Sequence, residues 1–228
     1  MKPIADIRIF TSETENISGN ALPSSLAFQT RKCFAVLQRI VMKLRECGFS
    51  LGEFDHLYVN FTTCGVENGM ALSKRGLDSY HPWYRYYDVH VDEELFRQLH
   101  VEANFGIVIE KVKALLISFF SSADFSQNDI EKCFDEALIQ GENMLMKFKE
   151  KTTAKRKAVL YLRCLDHMRY LPLLRVMDNQ NRILLEADLP EMIELNALGN
   201  IRVTLNRITI EPRKNAFFKD FIPIQFDY

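Results

Sequence analysis

Asp88-x-His90-x-Asp92 places three groups able to ligate a metal at alternate positions. In an extended segment successive side chains point to opposite faces, so oxygen, nitrogen and oxygen donors would share one face, with the carboxylates of Glu93 and Glu94 close behind. That is the chemistry of a metal-dependent hydrolase or nuclease. A polar strand face that runs into a helix with an acidic start has the same appearance, because carboxylates are favoured near helix N-termini. Cys64 offers a second chemistry, a thiol nucleophile activated by His56, His81 or His90, if the fold brings one of them to it. A lone cysteine is more often a small buried apolar group. The sequence holds no G-x-S-x-G, H-E-x-x-H, G-x-x-x-x-G-K or G-x-G-x-x-G, so no catalytic residue and no cofactor is assigned.

The same region is dense in a different chemistry. Residues 79–91 hold the single Trp of the chain, four of its eight Tyr and two of its five His. Aromatic side chains with a polar end give large contact area at little entropic cost, which suits a recognition surface. Alternation sorts Tyr84, Tyr86, Asp88, His90 and Asp92 onto one face and Trp83, Arg85, Tyr87, Val89 and Val91 onto the other. Trp83, Tyr84, Arg85, Tyr86, Asp88, His90, Asp92 and Glu93 are therefore the candidate partner-binding residues.

Several elements must position them. Alternation over Ile4 to Phe10 predicts a strand, and Ser24 or Ser25 is a candidate N-cap for a helix carrying Phe34, Leu37, Ile40, Val41 and Leu44 and closed by Gly48. A strand over Phe54 to Thr62 and a Gly-containing loop lead into the aromatic segment. A short helical turn over Asp92 to Leu99 comes next, and then a helix from Phe105 to Phe120. Ser126-x-x-Asp129 is a capping-box relative that opens a helix carrying Ile130, Phe134, Leu138, Leu145 and Phe148, with Gly141 inside it. The basic stretch Lys147, Lys149, Lys151, Lys155, Arg156, Lys157 reads as the end of that helix and its solvated loop. Ala158 to Leu165, Tyr170 to Met177 and Arg182 to Ala187 predict a three-strand meander. Ile201 to Ile210 reads as one long strand or a hairpin about Asn206, and the aromatic tail packs along an edge. Strands mixed with helices, without regular alternation, predict an α+β fold of antiparallel hairpins and a meander packed with amphipathic helices. The expectation is one globular domain over 1–228. A helix running into a strand occurs at 24–62 and again at 127–165, which marks candidate sub-halves 1–100 and 125–228.

The 29 Lys and Arg stand against 30 Asp and Glu, leaving no global field to capture nucleic acid or a membrane surface. A nucleic-acid-binding module would have to work locally, by stacking bases on the Trp-Tyr ribbon beside the basic stretch. Five Cys without C-x-x-C spacing argue against a disulfide framework and fit a reduced, cytoplasmic setting. The longest apolar run, near Leu115 to Phe120, is too short to span a bilayer.

Phe54-Asp-His-Leu-Tyr-Val-Asn-Phe-Thr-Thr63, Tyr80-His-Pro-Trp-Tyr-Arg-Tyr86, Lys155-Arg-Lys-Ala-Val-Leu-Tyr-Leu-Arg163, Pro172-Leu-Leu-Arg-Val176 and Glu211-Pro-Arg-Lys-Asn215 carry a resemblance of texture. With these pieces, spread from about residue 50 onward, the chain resembles a family of immunity proteins of bacterial polymorphic toxin systems. The resemblance implies a cytoplasmic protein that neutralises a cognate toxin domain by binding it. It implies neither a cofactor nor a catalytic residue.

Overall fold

A computed structural model describes residues 2–28, 31–166, 169–191, 198–214 and 222–228. The class is α+β, and the chain divides into two compact units, Met1–Gly141 and Glu142–Tyr228.

The first unit is built on a mixed sheet. Its strands are β1 (Asp6–Ser12), β2 (Ser24–Ser25), β3 (His56–Thr62), β4 (Met70–Leu72) and β5 (Tyr84–His90), in the order β2-β1-β3-β5-β4. The central three run parallel and only the edges pair antiparallel, whereas the strand pattern alone suggested hairpins. The cause lies in α1 (Arg31–Glu46): a helix between β1 and β3 returns the chain to the same end of the sheet, which makes the next strand parallel. Register then fixes the faces. Arg8, Tyr58 and Tyr86 form one cross-strand row, and Phe10, Asn60 and Asp88 the next. Ile7, Ile9, Leu57, Val59, Phe61, Tyr87 and Val89 point the other way and are buried. On that side α1 meets β1, and Tyr87 packs edge-on against Phe119 and Phe120 of α3 (Phe105–Phe120), with centroids 5.0 and 5.3 Å away. The short helix α2 (Glu93–Gln98) precedes α3, and α4 (Gln127–Gln140) packs on both α1 and α3.

Three sequence expectations are corrected here. Ser24 and Ser25 do not cap α1. They pair with Phe10 and Thr11 as an edge strand, and the helix begins at Arg31. The capping box at Ser126 and Asp129 forms, but α4 stops at Gln140, because Gly141 adopts φ 52 and breaks the helical path. Leu145 and Phe148 thus lie beyond the helix, and Lys147, Lys149 and Lys151 belong to a strand.

That strand, β6 (Met146–Thr152), opens the second unit. It pairs antiparallel with β7 (Arg156–Asp166), which continues into β8 (Arg169–Asp178) and β9 (Ile183–Asp188), the expected meander. A three-stranded antiparallel sheet completes the unit: β10 (Leu198–Val203), β11 (Arg207–Pro212) and the edge strand β12 (Ile224–Asp227). The run from Ile201 to Ile210 is therefore a hairpin. Ala158, Leu160, Leu174 and Val176 of one sheet join Leu198, Ile201, Ile208 and Ile210 of the other in a single core. Two cations of β6 have structural partners: Lys149 donates to the carbonyls of Leu198 and Gly199 at 2.5 and 2.9 Å, and Lys147, with Lys157 of β7, approaches Glu150. The two helix-to-strand stretches end in different pairings, since α1 leads to the parallel strand β3 and α4 to the antiparallel hairpin of β6 and β7.

Among the described residues no helix is long and apolar enough to cross a membrane.

Candidate functional site

The face of the first sheet that carries Tyr58, Tyr84 and Tyr86 has two belts. Tyr84 stacks on Tyr58 with centroids 4.4 Å apart and planes 10° apart, and Phe10 closes on Tyr58 and Tyr86 at 4.9 and 5.3 Å. The Arg8 guanidinium sits 5.6 Å from the centre of the Tyr58 ring and is tied to Asp6 at 2.7 Å. Burial drives the phenols toward the neutral form. It raises Tyr58, it raises Tyr84 with help from Asp78, and it pushes Tyr86 up to about 12.

Toward the C-terminal ends of the same strands the belt turns polar. Asp88 Oδ1 accepts hydrogen bonds from Asn60 Nδ2 at 2.8 Å and Asn16 Nδ2 at 3.0 Å, and Asn60 also donates to Ser12 Oγ. Asn16 lies on the loop after β1, and it links onward to the chain between β4 and β5. Arg75 Nε donates to Asn16 Oδ1 at 2.6 Å, Arg75 Nη2 donates to the carbonyls of Asn20 and Ala21, and Ser73 Oγ donates to the Asn16 carbonyl at 2.7 Å. The Gly76 amide donates to Ser18 Oγ. Two long connections are thereby fastened to each other and to Asp88.

From Arg75 the connection returns to the start of β5 through a turn organised by Asp78. Its carboxylate accepts from the Tyr80 amide at 2.9 Å and the Tyr84 hydroxyl at 3.3 Å, and lies 2.6 Å from His81 Nδ1. His81 first, then the Tyr80 amide, hold the Asp78 carboxyl below the usual carboxylate range. The Trp83 carbonyl accepts from the amides of Asp55 and His56, and its ring meets His81 edge-on with centroids 4.9 Å apart. On this fixed frame the apolar groups stand outward: Leu77 is 68% exposed, Tyr80 85% and Trp83 40%, with Leu72 and Leu22 also exposed.

The residues singled out by sequence therefore divide. Trp83 is exposed. Arg85 lies half-buried over the Phe54 ring, donating to the carbonyls of Pro82 and Tyr84. Tyr86 is a core residue of the aromatic belt, and Tyr84 is partly buried beside it. Asp88, His90 and Asp92 are not brought together as a ligand set. Asp88 accepts from two amides, His90 Nδ1 lies 3.0 Å from the Cys64 carbonyl, and Asp92 is the N-cap of α2, accepting from the Leu95 amide at 2.8 Å. Glu93 is exposed in the first turn of α2. Among the described residues no group of three His, Cys, Asp or Glu side chains is placed to hold a metal ion.

Sequence reasoning passed over Leu77, Asp78 and the Asn16–Arg75 link, and it counted Tyr80 in the aromatic stretch without naming it among the partner-binding residues. The Asp78-x-Tyr80-His81 spacing was the available signal, since an Asp side chain commonly bonds the backbone two residues on. The Asn16–Arg75 link spans 59 positions and leaves no local pattern.

No family model matches the chain, and no match appears among curated proteins or solved structures.

Proposed function

We propose that this protein is a binding partner of another protein, and that it acts as an immunity protein that neutralises a cognate toxin domain by direct contact in the cytoplasm. The observation that carries the reading is the exposure of Leu77, Tyr80 and Trp83 on a connection fastened by Arg75 and Asp78. Large aromatic and aliphatic groups held in water on a rigid support lose little entropy when a partner covers them, and Trp and Tyr are the side chains most enriched at energetic centres of interfaces. The site is the outer connection, with Trp83 as the residue shared with the sequence-level list. Tyr86 and Asp88 support it from below, and Asp92 and Glu93 lie on the next helix start.

The test is protection in cells. The proposal implies a toxin domain encoded beside this gene, and that domain is expressed alone and together with this protein. Survival restored by the wild-type protein, and lost with a Tyr80→Ala/Trp83→Ala double variant that still accumulates, supports the proposal. Survival unaffected by the wild-type protein overturns it.

A further inference from the structure

Two strand irregularities of the second unit meet at one cleft. The pairing of β6 with β7 slips between Lys147 and Lys149, which makes Phe148 an extra residue, and the pairing of β10 with β11 slips between Leu198 and Ile201, at Gly199 and Asn200. Bulges of this kind re-aim side chains. Lys149 reaches from the first irregularity to the second, where its ammonium donates to the carbonyls of Leu198 and Gly199 at 2.5 and 2.9 Å, and it lies 5.3 Å from the centre of the Phe148 ring. The cleft has a volume of about 430 Å³, and its walls include Phe148, Lys149, Gly199, Pro212, Arg213 and Lys214.

Among the described residues that line the cleft, three are cations and none is a carboxylate. The acidic residues next to it in the chain are engaged elsewhere: Glu150 by Lys147 and Lys157, and Glu211 by Arg202 at 2.6 Å. Two of the three ammonium protons of Lys149 go to neutral carbonyls, which leaves one for a ligand. Burial first, and then the charge of Arg213, hold the half-buried Lys149 ammonium below its usual range. An anion in the cleft would offset both effects.

We propose that this cleft binds a small phosphomonoester, with the phosphate held by Lys149, Arg213 and Lys214 and its organic carrier lying against Phe148 and Pro212. Charge selects phosphate over carboxylate. A phosphomonoester carries close to two negative charges at neutral pH and three strong acceptor oxygens, which suit one guanidinium fork and two ammonium groups. Size selects a small molecule over a polymer, because the volume falls within the range of small-molecule sites, about 300–1,000 Å³. The near balance of charge over the whole chain also gives no long-range attraction for a polyanion. The site lies wholly in the second unit and does not depend on the reading of the exposed connection in the first.

The experiment is a titration of the full ¹⁵N-labelled chain, followed by amide NMR shifts at constant ionic strength, with ribose 5-phosphate, inorganic phosphate and ribose as separate probes. Ribose 5-phosphate should give saturable shifts centred on Phe148, Lys149, Gly199, Asn200 and Arg213, and ribose should give none. The tighter of the two phosphate probes names the source, a phosphate ester or the free ion. Arg213→Gln/Lys214→Gln, which alters two exposed side chains, should weaken binding about tenfold or more, as loss of charged hydrogen bonds does. The wild-type shift map decides the matter if that variant does not fold. Shifts that do not saturate, shifts centred outside the cleft, or an unchanged affinity in the folded double variant would overturn the proposal.

Discussion

Asn60 and Asp88 lie side by side in one cross-strand row, and the amide of the first donates to the carboxylate of the second at 2.8 Å. Asn60 is wholly buried, so this bond is how the sheet accommodates a polar residue between Phe10 and Asp88. Because Asp88 also accepts from Asn16, the same carboxylate anchors the loop that Arg75 grips. A group that reads in the sequence as a metal ligand or surface charge is a clamp beneath the exposed connection.

Asp88→Ala should consequently act on stability. It leaves the buried Asn60 amide short of an acceptor and removes the bond from Asn16 Nδ2, a loss of about 1–3 kcal/mol for an unsatisfied buried group. Urea unfolding of the variant measures it. An unchanged midpoint would show that the clamp contributes nothing.

Tyr86 gives a pH signature. Its phenol is pushed up to about 12 by burial, from 10.0 in the free side chain. A group whose folded pKa is raised stabilises the fold fully below its unfolded pKa, and that contribution is lost as pH rises through the folded value. Stability should fall as pH climbs from 10 toward 12, with Tyr58, Tyr84 and Tyr87 shifted in the same direction. Unfolding midpoints collected from about pH 9 upward should fall less steeply for Tyr86→Phe than for the wild-type protein. Tyr86→Ala, which empties a place in the aromatic belt, should cost about 3–5 kcal/mol at neutral pH.

In the second unit Gly199 sits where β10 crosses close to the end of β11. A Cβ at that position would meet the Pro212 carbonyl oxygen at 2.4 Å, and backbone cannot step aside as a flexible side chain can. Gly199→Ala should destabilise the protein by about 1–3 kcal/mol, as overpacking does. A thermal midpoint equal to the wild type would contradict this.

These expectations mark where sequence was informative. Period-2 alternation sorted residues 84–90 onto their two faces, and the Ser126–Asp129 box located the start of α4. Both signals are local. Alternation cannot say whether a face is later covered, and the burial of Tyr86 against Phe10 and Tyr58 comes from cross-strand neighbours distant in the chain. Ser24 and Ser25 suit a helix cap as well as an edge strand, and only their distant pairing with Phe10 and Thr11 decides. The alternation Met146-Lys-Phe-Lys-Glu-Lys-Thr152 was hidden because the preceding helix pattern could be extended across Gly141.

The central claim is that the exposed connection, and not the aromatic belt below it, contacts a protein partner. Isothermal titration calorimetry against the toxin domain that the proposal expects beside this gene, with thermal unfolding of each variant, tests it most directly. Tyr80→Ala and Trp83→Ala should each weaken binding by about 1–4 kcal/mol and shift stability by no more than about 0.5 kcal/mol. Affinity unchanged in both variants, or no binding by the wild-type protein, would contradict the account.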